Sequence, residues 1–100
     1  MMAAYKVVDK NGVEVQSAAP IHPGEILFDE LEAREIPQNA FAKSLGMRAS
    51  HLNEILHGKR NISPSLALKL EDLLEISASF WVRLQGEYEL DKARLKKADV

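Results

Sequence analysis

Cysteine is absent from these 100 residues, which removes disulfide staples, thiolate metal sites and a cysteine nucleophile together. No apolar run approaches the roughly 18 residues of a membrane-spanning helix, and the start of the chain lacks the charged-then-apolar order of a secretion signal. The expectation is a soluble cytoplasmic protein. Bases that titrate near neutrality are few: His22, His51 and His57 are the three histidines. His51 and His57, six places apart, point roughly 120° from each other on a helix and cannot clamp one metal ion. Ser50 beside His51 does not make a serine triad, because adjacent positions on a helix diverge. A glycine-rich phosphate loop is missing as well. Neither an enzyme nor a protein dependent on a metal, cofactor or small-molecule substrate is expected.

The chain does carry ordinary globular material, 46% apolar and 28% charged residues, enough for one domain with a modest core. Its formal net charge of −2 looks wrong for a nucleic-acid binder until it is divided along the chain. Between residues 37 and 62, Lys43, Arg48, Lys59 and Arg60 stand against Glu54 alone, a local +3. Between residues 21 and 36, Glu25, Asp29, Glu30, Glu32 and Glu35 stand against Arg34 alone, a local −4. One surface attracts phosphate and another attracts a basic partner.

The basic stretch contains QNAFAKSLGMRASHLNEILH, from Gln38 to His57, which reads as a helix-turn-helix. Ala42 must be small because a second helix crosses close above it. Gly46 supplies the left-handed residue that ends the first helix of the pair. Leu45, Met47, Leu52, Ile55 and Leu56 form the apolar face that locks the helices together. Arg48, Ala49, Ser50, Asn53, Glu54 and His57 remain outside on the second helix, a mixture able to reach base edges in a major groove. Gly58 can cap that helix, which leaves Lys59, Arg60 and Asn61 as a basic loop beside a duplex backbone. The candidate DNA-binding set is Gln38, Lys43, Arg48, Ala49, Ser50, His51, Asn53, Lys59 and Arg60. Gln38, at a helix start, suits a phosphate. Glu54 either accepts from a cytosine amine or pairs with Lys43 or Lys59. The plainer alternative for the whole stretch is a helical hairpin in a small all-α domain.

Elsewhere, Tyr5 to Val8 and Val13 to Gln16 are β-prone and flank an Asn-Gly pair, so residues 1–20 are either a hairpin with a linker or an N-terminal arm. A helix begins at His22-Pro23-Gly24-Glu25, buries Ile26, Leu27, Leu31 and Ile36, and ends at Ile36-Pro37. Pro37 starts the next helix. Ser63 and Pro64 open a fourth helix with Leu66, Ala67, Leu70, Leu73 and Leu74 as its stripe. Ser77 or Ser79 opens a fifth, with Phe80, Trp81, Leu84 and Tyr88; a close backbone approach would account for Gly86 within it. The charged end from Lys92 is expected to fray, and residues 96–100 form a tail.

His22-Pro23-Gly24-Glu25-Ile26-Leu27, the motif with its Gly58-Lys59-Arg60 end, Ile62-Ser63, and Trp81 to Leu90 occur in the order and spacing found in HigA-type antitoxins. Residues 21–95 thus resemble the Xre family, whose members are all-α, five-helix, lambda-repressor-like helix-turn-helix domains. The resemblance implies a homodimeric antitoxin that neutralises a HigB-type mRNA endonuclease and binds double-stranded operator DNA to repress its own operon. A ribonuclease must be basic to hold RNA, so Glu25, Asp29 and Glu32 with Tyr5 and Val7 of the N-terminal segment are the candidate toxin surface. The alternative for those acids is a solvated helix face. For the dimer, Trp81, Leu84, Gln85 and Tyr88 are the candidates, against the alternative that the aromatics cap the monomer's core. A stand-alone Xre-like regulator and a pure interaction module are the competing functions.

Overall fold

The computed structural model describes residues 19–98, and the first event along them is a helix cap made by a histidine. His22 Nδ1 accepts the Gly24 N–H at 2.8 Å, while the Glu25 carboxylate accepts the His22 N–H at 3.3 Å. This reciprocal capping box starts α1 (Pro23–Ala33), with Pro23 at a position whose N–H would have no partner in any case. The other helices are α2 (Gln38–Leu45), α3 (Ala49–Leu56), α4 (Pro64–Leu74) and α5 (Ala78–Ala98), and no strand occurs among the described residues. The segment read as a hairpin or arm lies outside them, and Tyr5 and Val7 with it.

The end of α1 corrects the sequence expectation. The helix stops at Ala33, not at Ile36-Pro37. Glu35 turns left-handed at φ 57°, its N–H reaches the Glu32 carbonyl at 3.1 Å, and Ile36 N–H reaches the Leu31 carbonyl at 2.9 Å. That pair of bonds satisfies the last carbonyls of the helix and folds Ile36 back onto it. Pro37 likewise caps α2 in extended geometry and does not begin it.

The core is one cluster. Leu27 and Leu31 from α1, Phe41, Ala42 and Leu45 from α2, Leu52 and Ile55 from α3, Leu70 and Leu74 from α4, and Trp81 from α5 are all buried. Leu73, assigned to that core by its spacing, is instead exposed. Ser63 accepts the Leu66 N–H at 3.1 Å to start α4, and Ser77 accepts the Phe80 N–H at 3.2 Å to start α5. Rather than fraying at Lys92, α5 runs on to Ala98 for a total of 21 residues.

On α5 the inward and outward faces differ from the dimer expectation. Trp81 is wholly inside its own chain, at 0% exposure. Gln85 is buried because its Oε1 accepts the Ile62 N–H at 2.9 Å, tying the loop before α4 to α5. Leu84 packs on the core, and Tyr88 sets its ring edge to face with His22 at 4.7 Å. Trp81 and Gln85 are thus taken up within the chain, whereas Leu84 and Tyr88 are half-buried. The face turned outward carries Val82, Gly86 and Leu90, one turn apart, with Val82 43% and Leu90 49% exposed. Gly86 has nothing within 4 Å of where a Cβ would stand, so no close approach within the chain accounts for it.

Candidate nucleic-acid interface

The site begins at Gly46, where the chain reverses between α2 and α3. With Gly46 at φ 75°, its N–H bonds the Lys43 carbonyl and the Met47 N–H bonds the Ala42 carbonyl, each at 3.0 Å. The turn is held in addition by Lys69 of α4, whose Nζ donates to the Leu45 carbonyl at 3.1 Å. Ala42 is 1% exposed beneath the crossing helix, as its size requires. Leu52, Ile55 and Leu56 then face inward along α3.

What α3 leaves outside is polar and small. Arg48, Ala49, Ser50 and Asn53 are exposed, His51 and Glu54 half-exposed. Arg48 precedes α3 in extended geometry and no side chain caps the helix, so its first N–H groups are free to meet an acceptor from solution. The start of α2 is uncapped in the same way, beside half-buried Gln38. Two helix starts without side-chain acceptors, next to Gln38 and Arg48, are suited to phosphate oxygens. Lys43 stands apart from this group, bordering a shallow depression of about 270 Å³ between the end of α2 and α4, with Ser44, Gly46 and Lys69.

The basic loop after α3 is folded back by its own main chain. Gly58 is left-handed at φ 78°, its N–H reaches the Ile55 carbonyl at 3.1 Å, and the Lys59 N–H reaches the Glu54 carbonyl at 2.8 Å. That is the double bond pattern of a glycine-terminated helix. Glu54 pairs with neither lysine suggested for it: its carboxylate accepts the Nε–H of Arg60. The Arg60 guanidinium beside it lowers the Glu54 carboxyl from its ordinary value. His57 turns back on its own helix, with Nδ1 2.8 Å from the Asn53 carbonyl.

Two residues under this surface went unassigned in the sequence reading. Gly24 lies so close to α3 that a Cβ there would stand 1.9 Å from the Ile55 carbonyl oxygen. His22 is 3% exposed, between Tyr88 and the Gly58 turn. Burial lowers its pKa, with Lys92 adding to the lowering against the opposite pull of the Glu25 carboxylate, and its Nε2 has no hydrogen-bond partner. The signal for His22 was its spacing to Glu25, which is that of a capping box; nothing local marked Gly24. The acidic face of α1 is exposed at Glu25, Asp29 and Glu32, although Glu25 also serves the cap and Glu30 is paired with Arg34 at 2.8 Å.

The helix-turn-helix family model matches residues 27–81. Virulence-associated protein A of Dichelobacter nodosus is similar at 42% identity over 82 residues, which covers 80% of this chain and 80% of that protein. The structure of the Pseudomonas aeruginosa antitoxin HigA with the higBA promoter is similar at 41% identity and a TM-score of 0.74, covering 80% of this chain and 88% of that one. An addiction module antidote protein of the HigA family from Coxiella burnetii is similar at 35% identity and a TM-score of 0.75, over 82% of this chain and 90% of that one.

Proposed function

This chain belongs to the helix-turn-helix family, as a HigA-like member of its Xre branch, and from that premise we propose that it is the antitoxin of a toxin–antitoxin pair and represses its own operon. The observation that carries the DNA-binding half is the exposed face of α3, with Arg48, Ser50 and Asn53 open to solvent together, flanked by two uncapped helix starts and a basic loop. In this reading Asn53 and Arg48 read base edges, while Gln38, Lys59, Arg60 and the helix starts hold phosphates. Such a regulator performs no chemistry on its ligand. The relatives' association with a promoter and with addiction modules supports the same assignment. The test is a gel shift on the DNA upstream of the chain's own gene, with random duplex as competitor; equal binding to both would refute operator recognition.

The partner half of the proposal is a HigB-type ribonuclease toxin held on the acidic side of α1. Asp29 and Glu32 lie one turn apart and exposed, and neither side chain takes part in capping α1. A basic RNA-binding surface is complementary to them. Co-purification from the native operon tests the partnership, and lone elution would favour a stand-alone regulator. Asp29→Lys with Glu32→Lys should abolish toxin binding and leave DNA binding intact. Retained neutralisation would rule that surface out.

A homodimer completes the reading, because one helix pair offers DNA a small interface whereas two span a palindrome. The outward line of Val82, Gly86 and Leu90 on α5 is the surface for it. An antiparallel, two-fold pairing of α5 helices centred on Gly86 sets Val82 of one protomer against Leu90 of the other.

A further inference from the structure

Resting on the DNA-binding reading, we propose that Glu54 is a positioning residue for sequence discrimination: it ties the phosphate-holding Arg60 to the register of α3 without itself touching a base. Glu54 grips the basic loop twice. Its carbonyl takes the Lys59 N–H at 2.8 Å, and its carboxylate takes the Nε–H of Arg60. Arginine carries five N–H donors in a planar fork. With Nε–H directed at Glu54, the four donors on Nη1 and Nη2 stay available for a phosphate. The two side chains are about half exposed, at 45% for Glu54 and 52% for Arg60, so a phosphate can reach the free edge of the fork.

The chemistry of the pair explains why an acid sits on a surface that meets a polyanion. A free Arg60 would find a phosphate in many registers and add equally to every sequence, as loose cations do. Anchored on Glu54, its fork keeps a fixed relation to Asn53, the neighbouring residue of the same helix. The phosphate contact is then best made only when α3 lies in the groove at the depth where its side chains meet base edges. The carboxylate also opposes non-specific docking by its charge. Operator DNA therefore gains from the pair, and random DNA loses.

Titration of full-length protein with fluorescent duplexes, one carrying the DNA upstream of its own gene and one of random sequence, at several salt concentrations, tests this. Glu54→Ala should lower affinity for the upstream duplex about three- to tenfold, leaving random-duplex affinity unchanged or raised, with a salt slope no shallower than wild type. Glu54→Gln, whose amide oxygen still accepts from Nε, should retain most of the discrimination. In an Arg60→Ala background, Glu54→Ala should leave the ratio of the two affinities unchanged, because nothing remains to be tethered. The main-chain bond from Lys59 survives each substitution, and circular dichroism checks that the fold does too. A Glu54→Ala protein that shifts both affinities equally overturns the proposal, as does an undiminished effect in the Arg60→Ala background, which would make Glu54 a direct base reader. If wild-type protein does not prefer the upstream duplex, the DNA-binding reading fails, and the tether with it.

Discussion

Gly24→Ala asks for space that the fold does not have. A Cβ at this position would lie 1.9 Å from the Ile55 carbonyl oxygen and 2.9 Å from the Ile55 carbonyl carbon. Carbon–oxygen contacts ordinarily close no nearer than about 3.3 Å, so the shortfall is roughly 1.4 Å between two main chains, neither of which can swing aside as a flexible side chain would. To make room, α1 must withdraw from α3, loosening Leu27 and Leu31 in the core and straining the His22 cap, which is bonded through the Gly24 N–H itself. The carbonyl that is struck also accepts the Gly58 N–H that folds back the basic loop. Overpacking costs about 1 to 3 kcal/mol, and the cap and the turn bond about 1 each, so a loss of about 3 to 5 kcal/mol is expected. A body of this size is stabilised by only about 4 to 12 kcal/mol in total. Urea unfolding at protein concentrations low enough to keep the chain monomeric measures the change, with Gly86→Ala as control; having open space at its Cβ within the chain, that variant should gain about 0.5 to 1 kcal/mol. A Gly24→Ala protein within about 1 kcal/mol of wild type would refute the close packing of α1 on α3.

Asn53→Ala should cost roughly 1 to 3 kcal/mol of operator affinity and relax sequence preference; equal loss on random DNA in a competition titration would remove Asn53 from the reading set. Arg60→Ala should weaken binding to every duplex, to the operator more than to random DNA, and flatten the salt slope on the operator by about one unit, read from affinities across a salt series. Because burial depresses the pKa of His22 in the fold, the unfolded chain binds the extra proton first; stability should be complete above the ordinary histidine value of about 6.5 and fall as pH drops below it. His22→Asn, which keeps a capping acceptor but cannot titrate, should flatten that dependence in thermal melts; an unchanged pH profile would assign it to other groups. Leu90→Glu should give a folded monomer by light scattering whose operator affinity falls toward its non-specific value, whereas Tyr88→Glu should destabilise the fold itself by removing the ring that packs on His22.

The parts of the fold legible in sequence were those governed by local rules. Gly46, Gly58 and the Ser63-Pro64 start announce themselves because each meets a backbone demand that few residue types satisfy. Long-range approach left no such mark. Gly24 is needed because α3 lies against it, and nothing near it in the chain specifies that neighbour. The early stop of α1 was hidden because Glu35 adopts a left-handed conformation that glycine usually signals, at a cost of about 1 to 2 kcal/mol met by the two bonds it permits and the return of Ile36. On α5, the size of Phe80, Trp81, Leu84 and Tyr88 pointed to a partner surface, yet Trp81 is wholly inside its own chain while Val82 and Leu90 are turned outward. Gln85 settles the orientation, since its buried amide answers the Ile62 N–H, a bond spanning 23 residues that no local pattern contains.

The same long-range contacts determine what a dimer can do for recognition. The reading helix is fixed to α1 by main-chain contact at Gly24, to α2 by the Gly46 turn, and to α5 through a chain of packed groups: the Gly58 turn lies against His22, and His22 lies against Tyr88. A Cβ at Gly58 would meet the His22 ring at 3.5 Å, so the turn runs close over the imidazole. Just beyond, the Gln85 bond holds the Ile62 end of the loop directly to α5. Helix α5 is therefore not a loosely attached handle but part of the body that aims α3. If two chains pair through the outward face of α5, the angle and distance between their reading helices follow from that rigid path, with no adjustable linker between the paired surface and the groove. A two-fold pair of this kind accepts half-sites at one centre-to-centre spacing, near one helical turn of about 34 to 36 Å or a multiple of it. Inserting half a turn of DNA between the half-sites should then reduce operator binding to that of a single half-site, while inserting a full turn should restore part of it only if the pair can flex. Undiminished binding to the half-turn spacer would refute the rigid path from α5 to α3.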